Sequence, residues 1–466
     1  MNRSTLAALW IVLCSFATAC AAQPEEAPRP HIVMIMADDM GWADVSYHGG
    51  EIATPEIDAL MKQGRRLDRF YVQPQCTPTR AALLTGKYPL RTATHYGVIL
   101  PHSQWGLPLD EVTMADLLNQ AGYRTTMVGK WHMGHHAEAY LPENRGFDHF
   151  FGHYLGSHDY FKHGHAGGYD QHRNRQVTRE EGYATDLFAK EAVQLISTHR
   201  GDQPLFLYLS FNAPHDPWQS KPEDMAGYEH MTNLRRTYAG MMTAMDRAIG
   251  EVADALEEAG MADNTLIVFC SDNGGPHAGK ATDNGPLRGG KGQTYEGGVR
   301  VPAFAVWPAR IPAGSASDEL LYIGDLYPTF GGLAGADLSA VEADLDGLDV
   351  RATLTDGAPS GRQELALISG PDWFWNAIYE GPWKLNRAVN TENQGQPIVK
   401  LFHLEDDPNE QVDLLEAEPE VAARLQAKLD AWIEAAEPSR FTYEDAKGEP
   451  PAVWGQFEDA NPSASP

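Results

Sequence analysis

A cysteine and an arginine lie in the segment Cys-Thr-Pro-Thr-Arg, which runs from Cys76 to Arg80. The next residues, Ala-Ala-Leu-Leu-Thr-Gly, predict a short helix that begins at this cysteine. Helix N-termini attract anions because their N–H groups are free and the helix dipole is positive there. The segment therefore indicates a reactive thiol in an electropositive pocket. A capped loop with a buried, inert cysteine is the alternative that five residues alone leave open.

Two short acidic sequences offer oxygen atoms to a metal ion. Asp38 and Asp39 are adjacent, and Asp272 is followed by Asn273. Carboxylate and amide oxygens are the ligands that Ca²⁺ and Mg²⁺ prefer. Taken separately, an Asp pair is a common helix cap and Asp-Asn-Gly is a common turn. Both sequences follow an apolar run, and this shared position favours a site for a divalent metal.

Short apolar runs bounded by turns indicate the strands that must position these groups. They cover residues 31–36, 125–128, 204–210 and 265–270. Helical periodicity lies between them, most clearly over residues 242–256, which Gly260 follows as a stop. This alternation predicts an α/β fold with a doubly wound, mostly parallel sheet flanked by helices.

Polar residues follow each of the four runs directly. In doubly wound folds, ligands bind outside the carboxyl ends of the strands. Four distant segments are therefore expected to meet at one edge of the sheet. Their polar residues are Asp38 and Asp39, then Lys130 and His132, then Asn212 and His215, and finally Asp272 and Asn273.

Composition divides the chain into four parts. Residues 1–20 have the layout of a secretory signal, and residues 21–30 form a polar, Pro-rich linker. We expect a main domain over residues 31–361 and a smaller α+β subdomain with an acidic, Pro-rich tail over residues 362–466. The protein is thus predicted to be exported. The residues before Cys20 resemble the lipobox of bacterial lipoproteins, so lipid anchoring through Cys20 and cleavage with release both stay open.

The charge and the cysteine content exclude several classes of protein. The chain has 36 basic and 64 acidic residues, which gives a net charge of −28. This balance opposes general binding to nucleic acid or to anionic membranes. The chain has 4 cysteines, and Cys14 lies within the predicted signal, so no disulfide framework is expected.

Two motifs together resemble the signatures of the formylglycine-dependent (type I) sulfatases. The first is Cys-x-Pro-x-Arg with the following Leu-Leu-Thr-Gly, at residues 76–86, and the second lies at residues 122–132. The resemblance extends from about residue 31 to residue 413. Within the family, residues 107–110, 145–148, 156–160 and 284–291 look most like arylsulfatase B, the N-acetylgalactosamine-4-sulfatase. The resemblance implies the alkaline-phosphatase-like version of the predicted sheet.

The resemblance also implies a reaction and a nucleophile. A maturation enzyme would oxidise Cys76 to formylglycine, whose hydrate attacks the sulfur of a sulfate monoester. A geminal diol can then expel sulfate by collapsing to the aldehyde, whereas a simple thiol or alcohol ester would need a water attack. The cation would be Ca²⁺, with Mg²⁺ as the alternative. Its implied ligands are Asp38, Asp39, residue 76, Asp272 and Asn273.

The remaining roles come from the same resemblance. Lys130 and Lys291 would contact the sulfate oxygens, and Arg80 would stabilise the diol. His132 would assist the collapse as a base, and either His215 or Lys291 would protonate the leaving alcohol.

Substrate contacts are the least determined part of the sequence. A histidine-rich stretch offers His158 and His163 as part of a sugar pocket, and Trp373 and Trp375 offer aromatic faces for sugar stacking. Ordinary loop and packing roles are the alternatives for all four. We expect an exported bacterial sulfatase, periplasmic, extracellular or lipid-anchored, acting on a sulfated carbohydrate. The rivals are a phosphate or phosphonate ester hydrolase of the same superfamily and a non-catalytic glycan-binding lipoprotein.

Overall fold

The computed structural model describes residues 28–277, 280–369, 375–389, 396–440 and 447–456. The predicted signal sequence, Cys20 and Trp373 lie outside these residues. Within the described ranges, no helix combines the length and the apolar character that crossing a membrane requires.

The strands alternate with helices along most of the chain. In chain order the strands are β1 (His31–Ala37), β2 (Arg65–Leu67), β3 (Phe70–Tyr71), β4 (Arg124–Lys130), β5 (His149–His153), β6 (Gly164–His165), β7 (Gly168–Tyr169), β8 (His172–Arg173), β9 (Gln176–Val177), β10 (Leu205–Ser210), β11 (Thr265–Ser271), β12 (Ala303–Val306), β13 (Ser315–Ser317), β14 (Leu321–Tyr322), β15 (Glu364–Ile368), β16 (Trp375–Glu380), β17 (Trp383–Val389) and β18 (Pro397–His403). The α-helices are α1 (Pro55–Lys62), α2 (Cys76–Thr85), α3 (Met114–Gln120), α4 (Ala184–Ser197), α5 (Asn233–Glu258), α6 (Glu296–Val299), α7 (Leu326–Ala334), α8 (Arg351–Asp356) and α9 (Pro419–Glu434).

Among the described residues, ten strands form the central sheet, in the order β13-β2-β12-β11-β1-β10-β4-β5-β8-β9. The five in the middle, from β11 to β5, are parallel to one another. Met36 pairs with both Ser210 and Cys270, and Ser210 pairs with Gly129. Four strands therefore end at the same level of the sheet, as the sequence predicts.

Helices cover both faces of this sheet. Along β1, Ile32 and Met34 belong to one hydrophobic core, and Val33 and Ile35 belong to the other. Helices α2, α3 and α7 contribute to the first core, and α1, α4 and α5 contribute to the second. A strand buried on both faces reads as a continuous apolar run, which explains why these strands were visible in the sequence.

The predicted long helix is α5. It begins after Thr232, whose hydroxyl accepts a hydrogen bond from the backbone N–H of Arg235. Gly260, just beyond its end, has a φ of +68°, a left-handed conformation that glycine adopts at little cost. The apolar stripe of α5 packs on α4 and the sheet.

The predicted smaller α+β subdomain is also present. Strands β15 to β18 form an antiparallel sheet in sequential order, and α9 packs against it. Leu365, Ile378 and Phe402 of this sheet belong to the same hydrophobic core as α2 and α7. The small sheet is therefore packed directly onto the face of the main domain that carries α2.

Candidate active site

Helix α2 places Cys76 at the carboxyl edge of the central sheet. Cys76 is the first residue of the helix, and all ten residues of α2 are buried. The hydroxyl of Thr79 donates a hydrogen bond of 2.6 Å to the backbone carbonyl of Asp272, directly after β11. This bond ties the N-terminal turn of α2, with its free N–H groups, to the end of the sheet.

The predicted acidic residues converge beside Cys76. The thiol lies 3.6 Å from Oδ1 of Asp38. The backbone N–H of Asp39 donates to Oδ1 of Asp272 over 3.2 Å, and Nδ2 of Asn273 lies 2.7 Å from Oδ1 of Asp39. Ligand-capable atoms of Asp38, Asp39, Cys76 and His215 all lie within 4.8 Å of one another. Segments more than 190 residues apart in the sequence thus form one cluster.

Each of the three carboxylates has a basic partner. Nζ of Lys130 lies 2.5 Å from Asp38, and a guanidinium nitrogen of Arg80 lies 2.9 Å from Asp272. Nζ of Lys291 lies 2.7 Å from Asp39. The Lys130 and Arg80 side chains are fully buried, whereas 22% of the Lys291 side chain is exposed. The site is thus charge-matched, and it opens towards Lys291.

The protonation of the three carboxyls follows from these contacts. Burial, followed by the nearby charge of Asp272, raises the pKa of Asp38 well above its ordinary value. Burial would also raise the pKa of Asp39, but Lys291 and His215 have the larger combined effect and lower this pKa to about 2. Burial would raise the pKa of Asp272 as well, but Arg80 and Lys130 have the larger combined effect and lower it. A cation placed among the three carboxylates would favour the ionised form of Asp38 as well.

His215 lies at the open side of the cluster. Its Nε2 is 3.2 Å from Nζ of Lys291 and 3.6 Å from the Asp39 carboxylate. Its Nδ1 is 2.6 Å from the backbone carbonyl of Asp216, which orients the ring. Nε2 is therefore the nitrogen that faces the cluster and can exchange a proton with a ligand there.

His132 lies deeper in the site, beyond the end of β4. Its Nε2 is 2.9 Å from the backbone carbonyl of Ile99, and its buried Nδ1 has no partner among the described residues. Burial, with the positive charges of Lys130 and Arg80, lowers the pKa of His132 well below its ordinary value. A neutral ring whose Nε2–H donates to Ile99 has a free lone pair on Nδ1, so His132 is suited to accept a proton.

The donor set fits a hard divalent cation. Three carboxylates and one amide supply only oxygen ligands, which suits Ca²⁺ or Mg²⁺. The buried Oδ1 of Asn273 has no hydrogen-bond partner among the described residues, and an orphaned acceptor of this kind is costly unless it binds an ion or water. Asp38, Asp39, Asp272 and Asn273 are therefore the residues that would hold the ion next to position 76.

His158 and His163 lie in the interior, which agrees with the packing alternative, and a contact of either ring with the sugar stays a prediction. Their exposed fractions are 0% and 2%, and their rings stack with centroids 5.5 Å apart. Nε2 of His158 lies 3.3 Å from Gln171, and Nε2 of His163 lies 3.0 Å from the Gly182 carbonyl. Both rings are interior packing groups, because the loop that carries them folds inwards. Composition alone showed many histidines but not which side of the loop faces solvent.

The aromatic pair of the small subdomain has a mixed outcome. Trp373 lies outside the described residues. Trp375 is partly buried, and its ring packs 4.9 Å from that of Tyr295. This contact agrees with the packing alternative, and sugar stacking by Trp375 stays a prediction.

Two supporting residues were missed by the sequence reasoning. The hydroxyl of Ser210 accepts a hydrogen bond from Arg80 and donates one to the carbonyl of Lys130. The hydroxyl of Ser271 accepts from the backbone N–H of Met40, just after the Asp pair. Both are the last residues of their strands, β10 and β11. A polar residue that ends an apolar run was the signal that could have identified them.

Comparison with known proteins agrees with this geometry. The family profile described as Sulfatase matches residues 30–336. The chain is 36% identical to arylsulfatase J of Mus musculus, and the match covers 92% of this chain and 80% of that protein. The chain belongs to the sulfatase family.

Further relatives of this sulfatase have comparable similarity. It is 34% identical to arylsulfatase A of Homo sapiens, covering 94% of this chain and 95% of that protein. The crystal structure of Ps i-CgsB matches with a TM-score of 0.82 and 35% identity, covering 88% of this chain and 94% of that one. The same protein in complex with k-i-k-neocarrahexaose has a TM-score of 0.81 at 34% identity. These matches confirm a sulfatase enzyme with the alkaline-phosphatase-like fold, and they do not single out arylsulfatase B.

Proposed function

We propose that this sulfatase is an exported enzyme that hydrolyses sulfate monoesters of a sulfated carbohydrate, using formylglycine at position 76 and a bound Ca²⁺. One observation carries the proposal: ligand atoms of Asp38, Asp39, Cys76 and His215 lie within 4.8 Å of one another. A nucleophile position, a cation site and a proton donor are thereby brought within reach of a single sulfate group.

Position 76 is that of the nucleophile in this proposal. Once oxidised and hydrated, the residue supplies a geminal diol, of which one hydroxyl attacks sulfur and the other allows sulfate to leave as the aldehyde re-forms. The first turn of α2 presents its positive end to the same point, which favours an anionic ester there.

The basic residues bind and orient the sulfate. Lys130 and Lys291 each carry three N–H donors, so each can hold an Asp carboxylate and still donate to a sulfate oxygen. Arg80 is fixed by Asp272 and by the Lys130 carbonyl, 3.1 Å away, and it keeps the residue-76 hydroxyls oriented. When bound, Ca²⁺ would offset the negative charge that develops on the transferred group.

Proton transfer in this proposal involves His132 and either His215 or Lys291. Nε2 of His215 faces the open side of the site, beside Lys291, where the leaving oxygen of the sugar would lie. His215 or Lys291 donates a proton to that oxygen, and the free Nδ1 of His132 accepts a proton from the diol. Positioned groups of this kind contribute about 10²- to 10⁴-fold each.

Burial of Cys76 bears on its maturation. The residue is 2% exposed and is the first residue of the buried helix α2. A maturation enzyme must therefore reach the cysteine before the domain closes around it. Export through the signal at residues 1–20, with release or lipid anchoring at Cys20, is the part of the proposal that rests on the sequence alone.

A carbohydrate is the substrate class that the relatives support best. Ps i-CgsB has been crystallised in complex with k-i-k-neocarrahexaose, and that chain is 34% identical to this one. The side chains of Lys291 and His215 are 22% and 11% exposed, and a site whose other charged groups are almost fully buried suits a sulfate that projects from a larger molecule.

Turnover of paired esters tests the proposal. The matured enzyme should hydrolyse an aryl sulfate far faster than the matching aryl phosphate. Cys76→Ala should lower sulfate turnover by about 10⁴-fold or more, as loss of a nucleophile does. Cys270→Ala is the matched control, because Cys270 is the other buried free cysteine among the described residues. Preferential phosphate turnover would favour the esterase rival, and full binding of a sulfated glycan without any turnover would favour the glycan-binding rival.

A further inference from the structure

The backbone of His132 has a conformation that its surroundings must hold. Its φ is +56°, in the left-handed region that is uncommon for residues other than glycine. A residue keeps such a conformation only where neighbouring groups fix it. The N–H donates to the carbonyl of Tyr154 over 3.1 Å, the carbonyl accepts from the hydroxyl of Thr77 over 3.4 Å, and Nε2 lies 2.9 Å from the carbonyl of Ile99. The position of His132 therefore depends on three other segments of the chain.

One of these segments is the short loop at residues 99–103. The N–H of Ile99 donates to the hydroxyl of Thr77 over 3.2 Å, in the first turn of α2. The carbonyl of Pro101 lies 2.8 Å from Nε2 of His135. The loop is thus bonded to α2 on one side and to the segment that follows β4 on the other.

The ring of Trp454, from the far end of the chain, packs against both this loop and the segment after β4. Its centroid lies 5.2 Å from that of His102 and 5.8 Å from that of His135, edge-on to each. Trp454 is only 5% exposed. His102 lies three positions after Ile99, and His135 lies three positions after His132. The indole therefore contacts the two segments that the hydrogen bond between His132 and Ile99 joins.

Residues 448–455, which we call the C-terminal strap, are anchored on hairpin β6–β7. The N–H of Tyr169 donates to the carbonyl of Ala452 over 3.0 Å, and the N–H of Trp454 donates to the carbonyl of Tyr169 over 2.9 Å. Nε1 of Trp454 donates to the carbonyl of His165 over 2.9 Å. The indole is thus held at both its backbone and its ring nitrogen, so it can fix the groups that it contacts.

Two glycines show how closely the strap approaches the groups around His132. A Cβ atom on Gly448 would lie 2.6 Å from Nδ1 of His102. One on Gly455, whose φ is +68°, would lie 2.5 Å from the ring of Tyr154. Side chains at these positions would push the strap away. Because the carbonyl of Tyr154 holds the N–H of His132, the strap touches two of the three segments that support this histidine.

We infer that the C-terminal strap fixes the ring of His132, and that Trp454 is a positioning residue for the release of sulfate. The inference rests on the proposed function and deepens it. In the release step, Nδ1 of His132 takes the proton of the remaining hydroxyl on residue 76 as the C=O bond forms. The C–O bond to sulfate breaks, and sulfate leaves with its electron pair. Nδ1 can do this only while the proton of the ring is kept on Nε2 by the carbonyl of Ile99.

Loss of this positioning should slow one step of the reaction. Attack on sulfur comes before release and does not use His132 in the proposed mechanism. The ratio kcat/KM depends only on the steps up to sulfuryl transfer, so it should stay unchanged while kcat falls. The sulfated form of residue 76 should then accumulate during turnover.

Trp454→Ala tests this inference with an aryl sulfate as the substrate. Its kcat, measured per matured active site, should fall about 10²-fold, as expected for a small misplacement of a catalytic group. Rapid-quench kinetics should show a burst of about one phenol per active site. Mass spectrometry of the quenched enzyme should find the peptide with residue 76 heavier by one sulfuryl group. Trp454→Phe keeps a ring against both histidines and should restore most of kcat.

The control is Trp432→Ala, which truncates a partly buried tryptophan of α9 whose Nε1 donates to Glu364. It should match the wild type in kcat and in burst size. If Trp454→Ala does not fold, His102→Ala removes the contact from the side of the loop and is read in the same way.

A second background separates positioning from general damage. In His132→Ala, adding Trp454→Ala should lower kcat no further, because both changes act through the same ring. A further loss there would overturn the inference, and so would an equal fall of kcat and kcat/KM without a burst in Trp454→Ala. Absence of a burst in His132→Ala alone would remove the base role of His132 and the inference with it. A matured wild type that does not hydrolyse the aryl sulfate would instead overturn the proposed function.

Discussion

Residues around Cys76 combine two requirements that oppose each other. Three carboxylates must stay close enough to share a cation, yet their mutual repulsion would drive them apart. Arg80, Lys130 and Lys291 each hold one of them by an ion pair. In the proposed mechanism the two lysines also donate to the sulfate and Arg80 orients the hydroxyls of residue 76, so the arrangement that keeps the site assembled would also bind the substrate.

His215 is expected to matter most for poor leaving groups. A sugar alcohol needs a proton as the S–O bond breaks, whereas a phenol leaves more easily without one. His215→Ala should therefore lower kcat for a saccharide sulfate by about 10²- to 10⁴-fold and should lower kcat for an aryl sulfate less. Steady-state kinetics on both substrates measure this difference. His230→Ala, an exposed histidine, is the control. An equal loss on both substrates would show that His215 is not the proton donor.

Asp272 is expected to be a Ca²⁺ ligand, and its contribution to Ca²⁺ binding can be measured without an activity assay. A ligand that binds only the folded state raises its stability, by about 2.7 kcal/mol at a concentration of one hundred times Kd. Added Ca²⁺ should raise the Tm of the wild type, and Asp272→Asn should lose most of this rise. The quantity compared between the proteins is the Ca²⁺-dependent rise in Tm and not the Tm itself. Asp272→Asn also weakens the ion pair between Arg80 and residue 272, whether or not Ca²⁺ is present. Asp430→Asn, at a largely exposed carboxylate, is the control. An undiminished rise in Asp272→Asn would remove Asp272 from the ligand set.

At the scale of elements, a buried charged cluster joins the loop that carries Lys291 to the small sheet. Glu296, the first residue of α6, accepts hydrogen bonds from Lys384 on β17 over 2.9 Å and from Tyr71 and Tyr379. Lys384 also lies 2.7 Å from Glu410, whose carboxylate accepts from the backbone N–H of Glu296. Glu296 lies five positions after Lys291 in the sequence, so the small sheet helps to fix the loop that carries Lys291.

Glu410 should make stability depend on pH. Burial raises its pKa to about 7, although Lys384 opposes this, because one lysine faces two carboxylates. The folded state therefore holds this proton more tightly than the unfolded state, whose carboxyl has an ordinary pKa of 4.5. The stabilisation that this bound proton gives the folded state is complete below pH 4.5, and it is lost as the pH rises to about 7. The free energy of unfolding should thus fall over this range, by up to about 3 kcal/mol from this group.

Glu410→Gln isolates that contribution. Urea unfolding across pH 4.5 to 7 should give a shallower decline in the variant than in the wild type. Glu405→Gln, an exposed neighbour on the same loop, should leave the decline unchanged. Parallel curves for wild type and Glu410→Gln would show that Glu410 titrates normally.

The central strands and their polar ends were predictable from sequence for a physical reason. A parallel strand buried on both faces is a continuous apolar run, and its carboxyl end must meet the edge where ligands bind. That argument located Asp38, Lys130, His215 and Asp272 at one edge. Lys291 follows no such strand, and only the resemblance to the family's motifs identified it.

The inward turn of His158 and the contact between Trp454 and hairpin β6–β7 were not predictable in the same way. The hairpin pairs its second strand, Gly168–Tyr169, with Val453 across more than 280 residues of sequence. Short strands with two paired residues have no periodicity that a sequence pattern can detect. Which side of such a loop is buried depends on a partner that the local sequence does not contain.

For the whole molecule, the net charge of −28 should oppose the approach of a long polyanion. Salt screens this repulsion, since the Debye length falls from about 30 Å at 0.01 M to about 8 Å at 0.15 M. The kcat/KM for a long sulfated polymer should therefore rise over this range, whereas that for an aryl sulfate should change little. Identical salt dependence for both would show that the overall charge does not affect substrate selection.

The central claim is that position 76 acts as an oxidised residue and not as a thiol. Mass spectrometry of the peptide that contains Cys76, combined with activity measured on the same preparations, tests this most directly. The account predicts a peptide lighter than the cysteine form, and specific activity proportional to the fraction of the lighter form across preparations matured to different extents. Full sulfatase activity in a preparation that contains only the cysteine form would contradict it.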